Sequence, residues 1–170
     1  MIPLVRRGLM LDSCCMVEPR AERPHMPGYG IDEDTKDVLS WRWAVDLLNR
    51  ARTSVLSTVR PDGRPHAMPL WGLWLGDVYC LSTAITSVKS TNLKADHRCV
   101  ITAEDGDDAV IVEGRAELSV LPTGFTAAYR QKYGQTIDAG PIWIVRPTVA
   151  FAFQATDDFP KTATRWVFST

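Results

Sequence analysis

No apolar run in the 170 residues approaches the roughly 20 needed to span a bilayer, so no membrane-crossing helix is expected. Nineteen basic and twenty acidic side chains leave a formal charge of −1, too little for a global field that would draw the chain to nucleic acid. Cysteine is scarce and badly spaced for either disulfides or zinc: Cys14, Cys15, Cys80 and Cys99 form no C-x-x-C pair. Cys80 and Cys99 therefore read as small buried hydrophobes, and the cytoplasm is the expected compartment. The three histidines, His25, His66 and His97, are scattered without carboxylates at metal spacing, so no metal site is expected. The glycine patterns that cradle a dinucleotide or a nucleotide triphosphate, and the G-x-S-x-G of a serine hydrolase, are all missing.

What is present is one ordinary soluble domain's worth of apolar residues, 45% of the chain. Residues 1–25 read as a disordered tail, and Pro19, Pro24, Pro27, Gly28 and Gly30 mark a loop or extended arm leading into a domain over residues 26–170. Asp32 and Asp34 offer N-cap oxygens for a helix opening at Thr35 and ending near Arg52, with Val38, Trp41, Val45 and Leu48 on one face and an Asp46–Arg50 pair on the other. Strands are expected over 53–59, 67–75, 78–83, 99–103, 109–118, 142–146 and 148–153, with a last apolar-polar stretch at 165–168. Further helices are expected over 87–95 and 122–133. Pro65 and Pro69 cannot donate ladder bonds, which predicts an edge or bulge in their strand. In the stretch 109–118, Val110, Val112, Gly114, Ala116 and Leu118 share one face. The fold class is mainly β (α+β): a small barrel of six to seven mostly antiparallel strands with two to three flanking helices.

Two neighbouring segments can carry chemistry. Ser82-Thr83 ends a strand, and a short loop leads into a helix whose first turn holds Lys89, with Asn92 one turn on. Hydroxyls, an ammonium and helix N-terminal amides together suit a phosphate. A capped surface helix with a solvated lysine has the same local sequence. The second segment places Met68, Pro69, Leu70 and Trp71 on an irregular strand with Trp74 close by, a surface for a flat ring or simply for core packing. In succession they match a phosphorylated planar cofactor.

The order and spacing of these strings resemble the pyridoxamine 5′-phosphate oxidase-like split-barrel superfamily, and in particular its actinobacterial branch of flavin/deazaflavin oxidoreductases that use coenzyme F420. The resemblance runs from Met26 to Phe168. It is carried by Met26-Pro27-Gly28-Tyr29-Gly30, by Thr58-Val59-Arg60-Pro61-Asp62-Gly63-Arg64-Pro65-His66-Ala67-Met68-Pro69-Leu70-Trp71, by Ser82-Thr83, Lys89 and Asn92-Leu93, by residues 96–100, by Val112-Glu113-Gly114, and by Ala163-Thr164-Arg165-Trp166-Val167-Phe168. It implies a split β-barrel and a homodimer with two cofactors at the subunit interface. It also implies that Ser82, Thr83, Lys89 and Asn92 hold the cofactor phosphate, while Met68, Pro69, Leu70 and Trp71 line its ring. It supplies no catalytic acid or base. The arm at residues 26–30 and Arg165-Trp166 are implied to close over the site. Ile85 and Thr86 stand where relatives often carry another basic residue, leaving Lys89 as the loop's cation, with Arg60, Arg64, Lys94 and Arg98 as alternatives.

The function so implied is an F420-dependent oxidoreductase passing hydride between the deazaflavin and a small conjugated acceptor. The alternatives are an FMN-dependent oxidoreductase on the same fold and a non-enzymatic binder of the cofactor or of haem. Pyridoxamine phosphate oxidation itself is disfavoured, because the Arg/His-bearing C-terminal substrate motif is absent where the chain reads Arg165-Trp166-Val167-Phe168.

Overall fold

The alternation of apolar and polar side chains fixes a sheet with one face on a core, and proline and glycine decide where that sheet bends. In the computed structural model, which describes residues 18–31, 33–137 and 141–169, nine strands and four helices follow the chain. They are β1 (Arg20–Glu22), α1 (Trp41–Arg50), β2 (Ser54–Val59), β3 (Pro65–Leu70), β4 (Gly72–Leu75), β5 (Val78–Leu81), α2 (Val88–Ala95), β6 (Arg98–Asp105), β7 (Asp108–Ser119), α3 (Phe125–Tyr133), β8 (Ile142–Gln154), α4 (Phe159–Thr162) and β9 (Thr164–Val167). All pairings are antiparallel, in the order β1-β9-β8-β7-β6-β2-β3, with β5 joined to both β4 and β8. The fold is the expected β-rich, barrel-like α+β class, with more strands than the six or seven anticipated. No helix among the described residues is long and apolar enough to cross a membrane.

β8 organises the sheet. It pairs with β7 along its length, with β5 through residues 143–145 and with β9 through residues 149–152. The sequence reading broke this strand at Pro147. It continues because the register slips there: Glu113 faces Val149 while Gly114 faces Pro147, leaving Thr148 as the extra residue of a bulge. The bulge uses its own polar groups, since the Thr148 hydroxyl donates to the Glu113 carbonyl and the Thr148 carbonyl accepts from the Phe168 amide.

One core cluster fills the inner face and is plugged by α1, whose Trp41, Ala44, Val45, Leu47 and Leu48 are buried. Trp41 meets Trp74, Trp166 and Phe168 edge-on at 4.9–5.2 Å. A second cluster lies between α3 and β4, β5 and β8, and contains Leu73, Val78, Cys80, Phe125, Tyr129, Tyr133, Ile142 and Ile144. Cys80 and Cys99 are free and buried, as small hydrophobes in strands.

Several expectations are corrected. The first helix starts at Trp41 and not at Thr35, because Ser40 is the N-cap and its hydroxyl accepts from the Trp43 amide; Asp34 instead closes a short turn on the Lys36 amide. Asp32 lies outside the described residues. Asp46 pairs with Arg42, and Arg50 reaches Asp105 on the β6–β7 hairpin. The tail expected over residues 1–25 yields to order at β1, which pairs with β9 and whose Glu22 bonds Arg165; residues 1–17, with Cys14 and Cys15, lie outside the described residues. The third helix begins after Gly124, whose φ of 84° interrupts a helical start at Pro122. Leu118 is exposed although it alternates with buried residues of β7.

Candidate functional site

The site forms where the edge strand β3 and the loop after β5 meet α2. β3 is the last strand of the sheet path, which is where a strand with Pro65 and Pro69 belongs. Beyond it Trp71 falls between β3 and β4, and its carbonyl accepts a 3.2 Å bond from the Ser82 amide. The two segments singled out in the sequence are therefore tied directly to each other.

The loop that follows is closed by hydroxyls. Thr83 and Ser87 share a 3.1 Å hydroxyl pair, Ser87 caps α2 at the Ser90 amide, and the Ser90 hydroxyl donates to the Ala84 carbonyl while accepting from the Trp143 indole. The first amides of the helix, at Val88 and Lys89, have no intrahelical acceptor and face the N-terminal end of the dipole.

One turn further, the Asn92 amide donates 2.9 Å to the Thr58 hydroxyl on β2, and that hydroxyl lies 3.4 Å from both Nδ1 and the carbonyl of His66 on β3. Burial pushes the His66 pKa below its ordinary value, and the nearby cations Arg60 and Lys89 push it the same way. The charges of Arg60, in the turn after β2, and of Lys89, on α2, are thus both felt at His66. Of the alternative cations, Arg64 and Arg98 are taken up by Asp62 and Asp96, and Lys94 reaches the Ile85 carbonyl. Arg60 forms no ion pair within bonding distance among the described residues, although its charge helps hold the Asp62 carboxyl below its ordinary pKa, and it lines a cleft with Asp62, Arg64, Thr86, Thr91 and Asn92.

The expected site residues divide into three groups. Lys89 and Asn92 belong to this cluster, although Asn92 is 1% exposed and already bonded. Thr83 lies at the loop's closing hydroxyl pair, while the Ser82 hydroxyl turns away to Tyr129 of α3. Of the ring-lining set, Met68 and Pro69 are exposed, Leu70 is in the core, and Trp71 is half-buried and stacked on Tyr133. The C-terminal pair does not close over anything: Trp166 is buried in the main core and Arg165 pairs with Glu22. The 26–30 arm makes a turn whose Tyr29 packs on Phe159. Arg60, His66 and Thr58 escaped the sequence reading as a cluster, because only the β2–β3 pairing places Thr58 opposite His66.

This donor set fits a phosphate: the cations Lys89 and Arg60, the N-terminal amides of α2 and a polar floor of Thr58 and Asn92. Among the described residues there is no group of three His, Cys, Asp or Glu that could hold a metal.

The model of the pyridoxamine 5′-phosphate oxidase family matches residues 43–164. Similar solved structures include an F420 reductase (27% identical, TM-score 0.51, covering 62% of this chain and 93% of that one). They also include a pyridoxamine 5′-phosphate oxidase-related, FMN binding protein from Nostoc punctiforme (14%, TM-score 0.53, 76% and 97%). A third is a heme binding protein from Mycobacterium smegmatis (19%, TM-score 0.51, 64% and 51%). No curated protein matches.

Proposed function

Since the chain belongs to the pyridoxamine 5′-phosphate oxidase family, we propose that it is an F420-dependent oxidoreductase acting on a small conjugated acceptor, as a homodimer. The observation that carries this reading is the chain of contacts from Asn92 through Thr58 to His66, which ties α2 and its Lys89 to the edge strand β3, where Pro65, Met68 and Pro69 are exposed. Lys89, Arg60 and the first amides of α2 hold the phosphate; Met68, Pro69 and the backbone as far as Trp71 line the ring. Thr58 and Asn92 fix the floor, and Thr83 with Ser87 fixes the loop. The bound deazaflavin supplies two-electron hydride transfer. The chain's own work is to orient the ring at β3 and to neutralise the phosphate. Free, buried thiols at Cys80 and Cys99 suit a reducing cell interior.

FMN is the second reading, because the same phosphate seat serves a flavin and an FMN binding protein shares the fold. Fluorescence titration of the apoprotein with both cofactors, at low and high salt, separates them. F420, with its anionic tail, should bind tighter and with the steeper salt dependence. Tight FMN binding with a shallow salt slope and no F420 binding moves the assignment to FMN, and failure of both leaves a binder of another ligand.

A further inference from the structure

Away from the phosphate seat, two cations meet one aromatic stack, and among the described residues no carboxylate pairs with either. Trp71 and Tyr133 lie face to face, 4.7 Å between centroids and 5° from parallel. The Arg52 guanidinium is 5.3 Å from the Trp71 centroid and 6.0 Å from that of Tyr133. These three distances make an acute triangle, so Arg52 stands towards the side of the stack and not opposite Tyr133 on the outer face of Trp71. Arg52 is exposed, and among the described residues it forms no ion pair and no hydrogen bond.

Lys132 approaches from the other element. Its Nζ is 5.2 Å from the Tyr133 centroid and donates to the carbonyls of Leu48 (3.0 Å) and Gly72 (2.7 Å). An ammonium has three N–H groups, and these bonds use two. Burial, with no nearby carboxylate to oppose it, lowers the Lys132 pKa to about 8, so the group is still mostly charged at neutral pH. Tyr133 is rigid, donating to the Gly72 carbonyl at 2.7 Å and accepting from the Gly72 amide at 2.9 Å. Gly72 directly follows the segment that lines the ring in the reading above.

Two cations that meet no carboxylate among the described residues, beside a half-buried indole held flat against the buried Tyr133, suit a flat anion: the charges meet a carboxylate and the indole meets a π-system. We propose that Arg52 and Lys132, with the Trp71–Tyr133 stack, recognise a planar, carboxylate-bearing molecule. Naming that molecule the acceptor substrate rests on the oxidoreductase reading; its binding does not.

The test is isothermal titration of the full chain, without cofactor, using trans-cinnamate and its neutral counterpart trans-cinnamamide. The acid should bind about tenfold or more tightly than the amide. Arg52→Gln, at an exposed position, should stay folded and bring the two affinities together, while Arg52→Lys keeps part of the preference. Equal affinities in the wild-type protein, no binding of the acid, or an Arg52→Gln variant with its preference intact overturns the proposal. Cofactor titration of Arg52→Gln, run in parallel, keeps the two readings apart. Acid preference without cofactor binding sinks only the oxidoreductase reading, and cofactor binding without acid preference sinks only this one.

Discussion

At the scale of single residues, Lys89 and Asn92 sit one turn apart and do different work. Lys89→Ala removes a charge that nothing else on the loop replaces, and should weaken cofactor binding by about 1.5–3 kcal/mol, roughly tenfold to a hundredfold by fluorescence titration. Asn92→Ala empties a buried donor site on Thr58 and should instead lower stability, by about 1–3 kcal/mol in urea unfolding. The resemblance implies that both hold the phosphate, and does not separate them. Spacing along the helix was visible, but the depth of Asn92 follows from α2 leaning on β2, which no local pattern records. His66 adds a pH signature. Arg60 and Lys89 disfavour its protonated form, so an anion that neutralises them favours proton uptake, and cofactor affinity should rise as pH falls through the histidine range; His66→Gln should flatten that rise. Lys132 gives a stability signature. With its pKa lowered from 10.5 to about 8, it holds fewer protons folded than unfolded between those values, so its contribution to stability grows with pH across that window. Cys80, Cys99 and Tyr133, raised to about 12, act in the opposite sense above about pH 9. The difference in urea midpoint between wild type and Lys132→Met isolates the lysine, and a difference that does not change between pH 7.5 and 9 would contradict it.

At the scale of elements, local chemistry was legible where a cap or a turn announces itself, and illegible where a strand survives an interruption. Ser87 announced α2, and the Pro61-Asp62-Gly63 turn announced the β2–β3 hairpin, with Gly63 at a φ of 84°. Trp71 separated β3 from β4 without any turn residue, and Pro147 failed to end β8 because the bulge on Thr148 absorbs it. The bulge depends on Gly114: a Cβ there would stand 2.3 Å from the Arg146 carbonyl oxygen and 2.9 Å from Val145 Cγ1. Gly114→Ala should therefore cost about 2–3 kcal/mol, seen as a fall of roughly 5–10 °C in Tm by calorimetry. A variant that melts with the wild type would mean the strands can part at this point without loss.

At the scale of the whole molecule, a dimer has to close on surface that one chain leaves exposed. Trp74, Trp143 and Trp166 are 4%, 2% and 1% exposed within one chain and so offer nothing to a partner. Part of the exposed apolar surface is on the outer side of β2 and β3, where Val55 pairs with Pro69 and Val59 with Pro65; Val55 and Val59 are 38% and 37% exposed. A dimer closing on this face should bury about 2,000 Å² or more and run as twice the chain mass in light scattering at micromolar concentration. Val55→Asp with Val59→Asp should drive it to monomer, and a wild-type monomer would refute the assembly. A different consequence follows from the pairing of β1 with β9, in which Arg20 faces Val167. The exit of the last strand is thus beside the entry of the first, as in a hairpin that lacks its loop. A linker of about two to five residues could supply that loop. New ends could then be opened at the exposed Gly106 tip between β6 and β7, giving a circular permutant with every strand neighbour retained.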